Sequence, residues 1–247
     1  ALDAETIYDV PLLMMEEKLD KIVLKKLALE IGIDPNLNTW KTFLDKLKNP
    51  KTNVKIGLVG KYVELKDSYK SIAEGLIHAG AQNECSVEVD WIHSESINTE
   101  NATEKLSSLN GILVAPGFGE RGVAGKLAAV KYARESNIPF FGICLGMQCA
   151  VVEFAQNVLG LSSSSREIDD KTQHPVIDLM EEQKKVKDKG GTMRLGAYSC
   201  NLEEGSFAHK AYGSTQISER HRHRYEFNSA YKETFEKAGM KASGINL

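Results

Sequence analysis

Cys144 stands between Gly142 and Gly146 in the stretch FFGICLGMQCA, where an apolar run gives way to a helical pattern. A buried structural thiol needs no glycine on either side. A nucleophile does, because its backbone must turn sharply and leave the side chain exposed at a strand–helix junction. The form G-x-C-x-G is the thiol analogue of the nucleophile elbow. The helix that follows directs its N-terminal dipole and free N–H groups toward the sulfur, which favours thiolate over thiol. Cys149 lies inside that helix beside Ala150 and Val151 and reads as a core residue.

A thiolate attacking an acyl carbon also needs two hydrogen-bond donors where the oxyanion forms. The N–H of Leu145 supplies one. The glycine turn in GILVAPGFGERG offers the other, because Ala115-Pro116-Gly117-Phe118-Gly119 lets the Gly117 backbone come close.

These residues need elements to hold them. Apolar alternation and glycine stops predict buried strands at VKIGLVG (Val54 to Gly60), SVEVDWI, GILVAPG and IPFFGI. Between them, KDSYKSIAEGLIHAG reads as a helix capped near Asp67 or Ser68 and ended at Gly80. GVAGKLAAVKYARESN and GMQCAVVEFAQNVLG read as two more. Strands alternating with helices imply a parallel sheet covered on both faces, with ligands at the strand carboxyl ends. The expected fold class is therefore α/β. Before the first strand, MMEEKLDKIVLKKLALEIGI predicts one helix stopped by Gly32. NLNTWKTFLDKLKNP predicts a second, capped by Asn38 or Thr39 and closed by Pro50. After Gly160, LSSSSREIDDKTQHP reads as a loop, and EEQKKVKDKGG as a solvated charged hairpin or a lid.

Composition narrows the function classes. At 42% hydrophobic and 26% charged residues, the 247-residue chain can build an ordinary globular core. A net charge of −3 and a pI near 6.1 give no general affinity for nucleic acid or a membrane surface. Cys85, Cys144, Cys149 and Cys200 are scattered without a CxxC pair, which argues against both a disulfide framework and a structural zinc site, and for a reducing, cytoplasmic setting. No metal site is expected.

The stretches GKYVELKDSYKSIAEGL, APGFGERGVAGK, FFGICLGMQCAVVEFA, GGTMRLGAYSC and ERHRHRYEFN resemble the class I, triad-type glutamine amidotransferases, and within them the amidotransferase domain of the CTP synthase family. GICLGMQ is shared broadly among triad amidotransferases, whereas GGTMRLG and ERHRHRYE are much narrower. The resemblance implies a flavodoxin-like fold, with residues 1–52 as a helical linker from a synthetase domain and residues 53–247 as the amidotransferase domain. It implies that Cys144 forms a thioester while Gly117, Leu145, Gly146, Met147 and Gln148 hold L-glutamine. Arg224 then meets the substrate's α-carboxylate, for which its planar fork is suited. Glu167 meets the ammonium, although the family's NSTE run is replaced here by SSSSRE. This domain itself would need no cofactor. The full enzyme would use ATP and Mg2+ to aminate UTP to CTP, with GTP as activator and a homotetramer as the working form. Its ATP and UTP sites would lie in the synthetase domain, and no G-x-x-x-x-G-K-[ST] occurs in this sequence.

One family feature has no counterpart. Triad amidotransferases complete the site with a His-Pro-Glu motif, and none of His78, His93, His174, His209, His221 and His223 is followed by Pro-Glu. The sequence reaches KASGINL before such a segment, so the expectation is an incomplete chain end. The competing expectation is a non-catalytic regulatory or interaction module that keeps the fold. A third, an elbow-cysteine peptidase or stress-response protein, is disfavoured by GGTMRLG and ERHRHRYE.

Overall fold

The computed structural model describes residues 3–32, 34–180 and 194–246. In chain order the helices and strands are α1 (Val10–Glu16), α2 (Leu19–Lys26), α3 (Asn38–Lys48), β1 (Thr52–Gly60), α4 (Lys70–Gln82) and β2 (Cys85–His93). Then come α5 (Ala102–Leu106), β3 (Gly111–Val114), α6 (Val123–Glu135), β4 (Phe140–Gly142) and α7 (Leu145–Asn157). The remainder comprises β5 (Ser163–Ser165), β6 (His174–Leu179), β7 (Arg194–Leu202), α8 (Phe207–Tyr212), β8 (Gln216–His223), β9 (Tyr225–Phe227), α9 (Lys232–Lys237) and β10 (Gly244–Ile245). Contacts divide the chain into two compact units, Ala1–Val54 with Lys70–Glu88, and Lys55–Tyr69 with Val89–Leu247.

In the first unit an aromatic cluster ties the N-terminal helices to α4. Tyr8 packs against Trp40, Phe43 and His78, and its carbonyl accepts from Trp40 Nε1 at 2.8 Å. Its hydroxyl meets the Glu74 carboxylate and lies 2.7 Å from His78 Nε2. The single helix expected over residues 14–32 is two. Lys18 adopts φ 54°, in the left-handed region, between α1 and α2, and Ala28 at φ 54° follows the end of α2, ahead of Gly32. Ile22, Val23 and Leu27 are exposed, so burial does not enforce the apolar periodicity. α3 starts after Leu37 without a side-chain cap, and the Asn38 N–H is taken by Asn36 Oδ1 at 3.0 Å. Gly80 does not end α4, which runs on to Gln82.

The second unit is built on a four-stranded sheet in the order β2-β1-β3-β4. β1 and β3 are parallel, as are β3 and β4, and the register aligns Val59 with Val114 and Val114 with Gly142. Three carboxyl ends therefore finish level, and the segments that leave them emerge at one edge. All four residues of β3 are buried, which is what a strand covered on both faces requires. Val59, Ile112, Val114, Leu145 and Cys149 belong to one core cluster, together with Ala129 and Ala133 of α6. Another face of α7 (Val151, Val152, Ala155) packs with Val176, Ile177 and Phe235 in a second cluster. The architecture is α/β with a mostly parallel central sheet, as the alternating pattern predicts.

Two further three-stranded sheets complete the unit, in the orders β5-β6-β9 and β10-β7-β8. The stretch read as a loop after Gly160 contains β5, which pairs in parallel with β6. Its run of serines carries no apolar alternation, and Ser163 and Ser165 are nonetheless buried. The charged stretch EEQKKVKDKGG lies outside the described residues.

Candidate active site

The elbow at Cys144 is produced by two close approaches. A Cβ on Gly142 would lie 2.6 Å from Gly146 C and Met147 N, and a Cβ on Gly146 would collide with the Val114 carbonyl. Only glycine lets α7 start this near to β3 and β4. Ile143 N–H donates to Val114 O at 3.1 Å and extends the sheet by one residue. The next residue, Cys144, then takes φ 54° and ψ −110°. That conformation costs a non-glycine residue roughly 1–3 kcal/mol and persists where surrounding packing enforces it.

Cys144 opens onto a cavity of about 70 Å3, lined also by Gly117, Phe118, Gln148, Glu167, His223, Arg224 and Tyr225. The backbone N–H groups of Leu145 and Gly117, the donors that the elbow and the glycine turn predict, both act on its sulfur in favour of the thiolate. The thiol itself differs from expectation. Burial pushes its pKa up, and this outweighs the N–H of Leu145, the charge of Lys126 and the N–H of Gly117, all of which pull it down. Helix-start geometry alone does not yield a thiolate here, because the sulfur is withdrawn from water.

Glu167 follows β5 and reaches across to the glycine turn, its Oε1 accepting from the Gly119 N–H at 2.8 Å. Ser165 Oγ in turn accepts from the Glu167 N–H at 3.2 Å. Arg224 sits between β8 and β9, and its carbonyl accepts from the Met180 N–H at 3.3 Å. Gln148, on the first turn of α7, donates from Nε2 to Tyr225 O at 3.3 Å, while its buried Oε1 has no hydrogen-bond partner.

The fold thus brings Gly117, Cys144, Gln148, Glu167 and Arg224 together from four separate segments. Leu145 serves through its N–H, its buried side chain lying in the core. Gly146 is the packing contact with β3. Met147 is 41% exposed and does not line the cavity. Sequence reasoning missed three lining residues, Phe118, His223 and Tyr225, although all lie within stretches it singled out. His223 is the one histidine on the cavity wall among the described residues, with Nδ1 3.1 Å from Tyr225 O. Cys149 is buried in α7, and burial raises its pKa to about 11. Among the described residues no cluster of three or more His, Cys, Asp or Glu side chains could hold a metal ion. No helix among the described residues is long and apolar enough to cross a membrane.

The family described as Glutamine amidotransferase class-I matches residues 64–247. The chain belongs to the class-I glutamine amidotransferase family. Within that family it is 63% identical over 247 residues to the CTP synthase of Cytophaga hutchinsonii, covering 100% of this chain and 46% of that protein. It is 55% identical over 251 residues to the CTP synthase of Methanocaldococcus jannaschii, covering 99% of this chain and 46% of that protein. The chain spans about half the length of the curated relatives it matches. A solved amidotransferase structure, the Trypanosoma brucei CTPS glutaminase domain with bound acivicin, superposes with a TM-score of 0.72 at 37% identity. That match covers 78% of this chain and 75% of the other.

Proposed function

We propose that this amidotransferase chain is the glutaminase part of a CTP synthase, in which Cys144 attacks the side-chain carboxamide of L-glutamine. The observation that carries the reading is the convergence on one cavity of an elbow cysteine, the Gly117 turn, Glu167 and Arg224. Arg224 takes the α-carboxylate of glutamine, and Glu167 takes the α-ammonium. Together they present the carboxamide to sulfur, and the partnerless Oε1 of Gln148 offers an acceptor for a substrate N–H. Leu145, Gly146 and Met147 form the helix start that frames the substrate.

As the S–C bond forms, the carboxamide oxygen gains charge, and the N–H groups of Gly117 and Leu145 turn from sulfur to that oxygen. The C–N bond then breaks. The nitrogen leaves as ammonia once protonated, and water cleaves the thioester to release glutamate and restore the thiol. Because burial keeps the resting sulfur protonated, a base must remove its proton as attack begins. Ammonia passes to a synthetase domain, which aminates UTP to CTP. ATP, Mg2+ and the activator GTP are assigned to that domain. A homotetramer in the cytoplasm completes the proposal.

The test uses the complete enzyme. Cys144→Ala is expected to abolish glutamine-dependent CTP formation and to leave formation from added ammonia intact. Loss of both activities together, or of neither, overturns the assignment.

A further inference from the structure

Beneath the glycine turn lie two lysines that the reaction above does not use. Lys126, on α6, is 0% exposed, and Lys61, just after β1, is 3% exposed. Among the described residues neither ammonium has a carboxylate partner within ion-pair distance. Each instead donates to backbone carbonyls of the turn. Lys126 Nζ lies 2.6 Å from Ala115 O, and Lys61 Nζ lies 2.5 Å from Phe118 O and 3.1 Å from Gly119 O. A Cβ on Gly117 would sit 3.7 Å from Lys126 Nζ and 3.7 Å from Lys61 Cε, so the pair flanks the residue whose N–H points at sulfur.

Burying a lysine without an anion is costly, and a core position normally takes an apolar side chain. Two such lysines under one five-residue turn, both bonded to its carbonyls, need a reason. Drawing the carbonyls of residues 115, 118 and 119 inward fixes the peptide planes of the turn. It also places positive charge behind the place where sulfur becomes an anion.

We propose that Lys126 and Lys61 form a buried cationic floor that orients the Gly117 turn and supplies the positive potential under which Cys144 reacts. They are positioning residues, since neither ammonium is among the groups lining the cavity. The inference rests on the reading of Cys144 as nucleophile. The charged and titratable groups that face the floor are Cys144 and Cys149 from the start and interior of α7, and Glu167 from the segment after β5. Arg121 and Tyr62 also act on Lys61. Burial brings Lys126 down to about 8, so the floor is charged at neutral pH and weakens as the medium becomes alkaline.

The experiment is alkylation of the 247-residue chain by iodoacetamide (neutral) and iodoacetate (anionic) across pH, with the adduct located by peptide mapping. Wild type is compared with Lys126→Met, whose side chain is similar in length and carries no charge. Below about pH 8, where Lys126 is charged, removing it is expected to slow Cys144 alkylation roughly tenfold, a difference that fades as the wild-type ammonium loses its proton. It is also expected to lower the iodoacetate-to-iodoacetamide rate ratio by roughly threefold, a change that loss of packing alone would not produce. A folded Lys126→Met chain with unchanged neutral-pH rate and ratio overturns the floor, as does a lowered melting temperature unaccompanied by either change. If Lys126→Met does not fold, Lys61→Met on the other segment is held to the same two readouts and decides by the same outcomes. An adduct found elsewhere than Cys144 in wild type overturns the nucleophile reading itself, which separates the two failures.

Discussion

Glu167 Oε1 accepts a hydrogen bond from the Gly119 backbone N–H at 2.8 Å, linking the segment after β5 to the turn after β3. Forty-eight residues apart in sequence, the two meet beside Gly117 and Phe118, which with Glu167 line the cavity that contains Cys144. The bond holds a carboxylate at the substrate face and steadies the turn whose Gly117 N–H serves the sulfur. Glu167→Gln keeps the shape but removes the charge. In the complete enzyme it is expected to reduce glutamine-dependent CTP formation by roughly tenfold or more, as loss of a charged hydrogen bond does, and to spare ammonia-dependent formation. An equal fall in both rates would show that the contact only holds the turn.

Arg224 faces the same cavity. Arg224→Ala is expected to weaken glutamine use by about 2–4 kcal/mol, or roughly thirty- to a thousand-fold, again with ammonia-dependent activity nearly unchanged. Steady-state kinetics on both nitrogen donors separates substrate anchoring from a structural part.

A glutamine-analogue diazo-ketone should label Cys144 and spare Cys149. Cys144 opens to the cavity, whereas Cys149 is buried and its pKa is held near 11 by burial, so below about pH 9 almost none of it is thiolate. Peptide mapping of the labelled chain reads the outcome directly, and an adduct on Cys149 contradicts it.

Gly146→Ala tests the elbow's packing. The added methyl collides with the Val114 carbonyl, which backbone hydrogen bonding holds in place. The expected loss is about 3 kcal/mol, seen as a fall of roughly 6–12 °C in Tm. Calorimetry and the rate of Cys144 labelling should fall together.

Stability away from the site depends on Arg134 and Glu153. Arg134 Nη2 lies 2.7 Å from Glu153 Oε1 and its Nε 3.0 Å from Oε2, with the glutamate side chain 2% exposed. Arg134→Ala leaves that carboxylate buried alone and should cost about 3 kcal/mol. The double variant Arg134→Met with Glu153→Met should recover part of the loss by removing both charges. Denaturant unfolding measures each.

The 247 residues contain no His-Pro-Glu, and His223 is the one histidine on the cavity wall among the described residues. Glutamate release by this chain alone is therefore expected to be slight, even though its thiol can be alkylated. Adding a segment that carries His-Pro-Glu should raise turnover by several orders of magnitude. Substantial Cys144-dependent turnover without it, abolished in His223→Gln, would identify His223 as the base.

Local chemistry made much of this legible in the sequence. Glycine at positions 142 and 146 around a cysteine means a tight strand-to-helix turn, because sterics act within a few residues. The apolar runs of β1 and β3 mark strands covered on both faces for the same short-range reason. Ser163–Ser165 gave no such signal, since its strand exists only through pairing with β6. The break at Lys18 was hidden too, because nothing in a lysine announces a left-handed conformation. Only the tertiary structure decided that the Cys144 thiol is held above its ordinary pKa, as desolvation depends on what the whole unit packs around the sulfur. It alone placed Lys61 and Lys126 beneath Gly117. The register of Val59, Val114 and Gly142 brings the ends of β1, β3 and β4 level, and that alignment, a property of the sheet rather than of any one segment, turns scattered residues into a site.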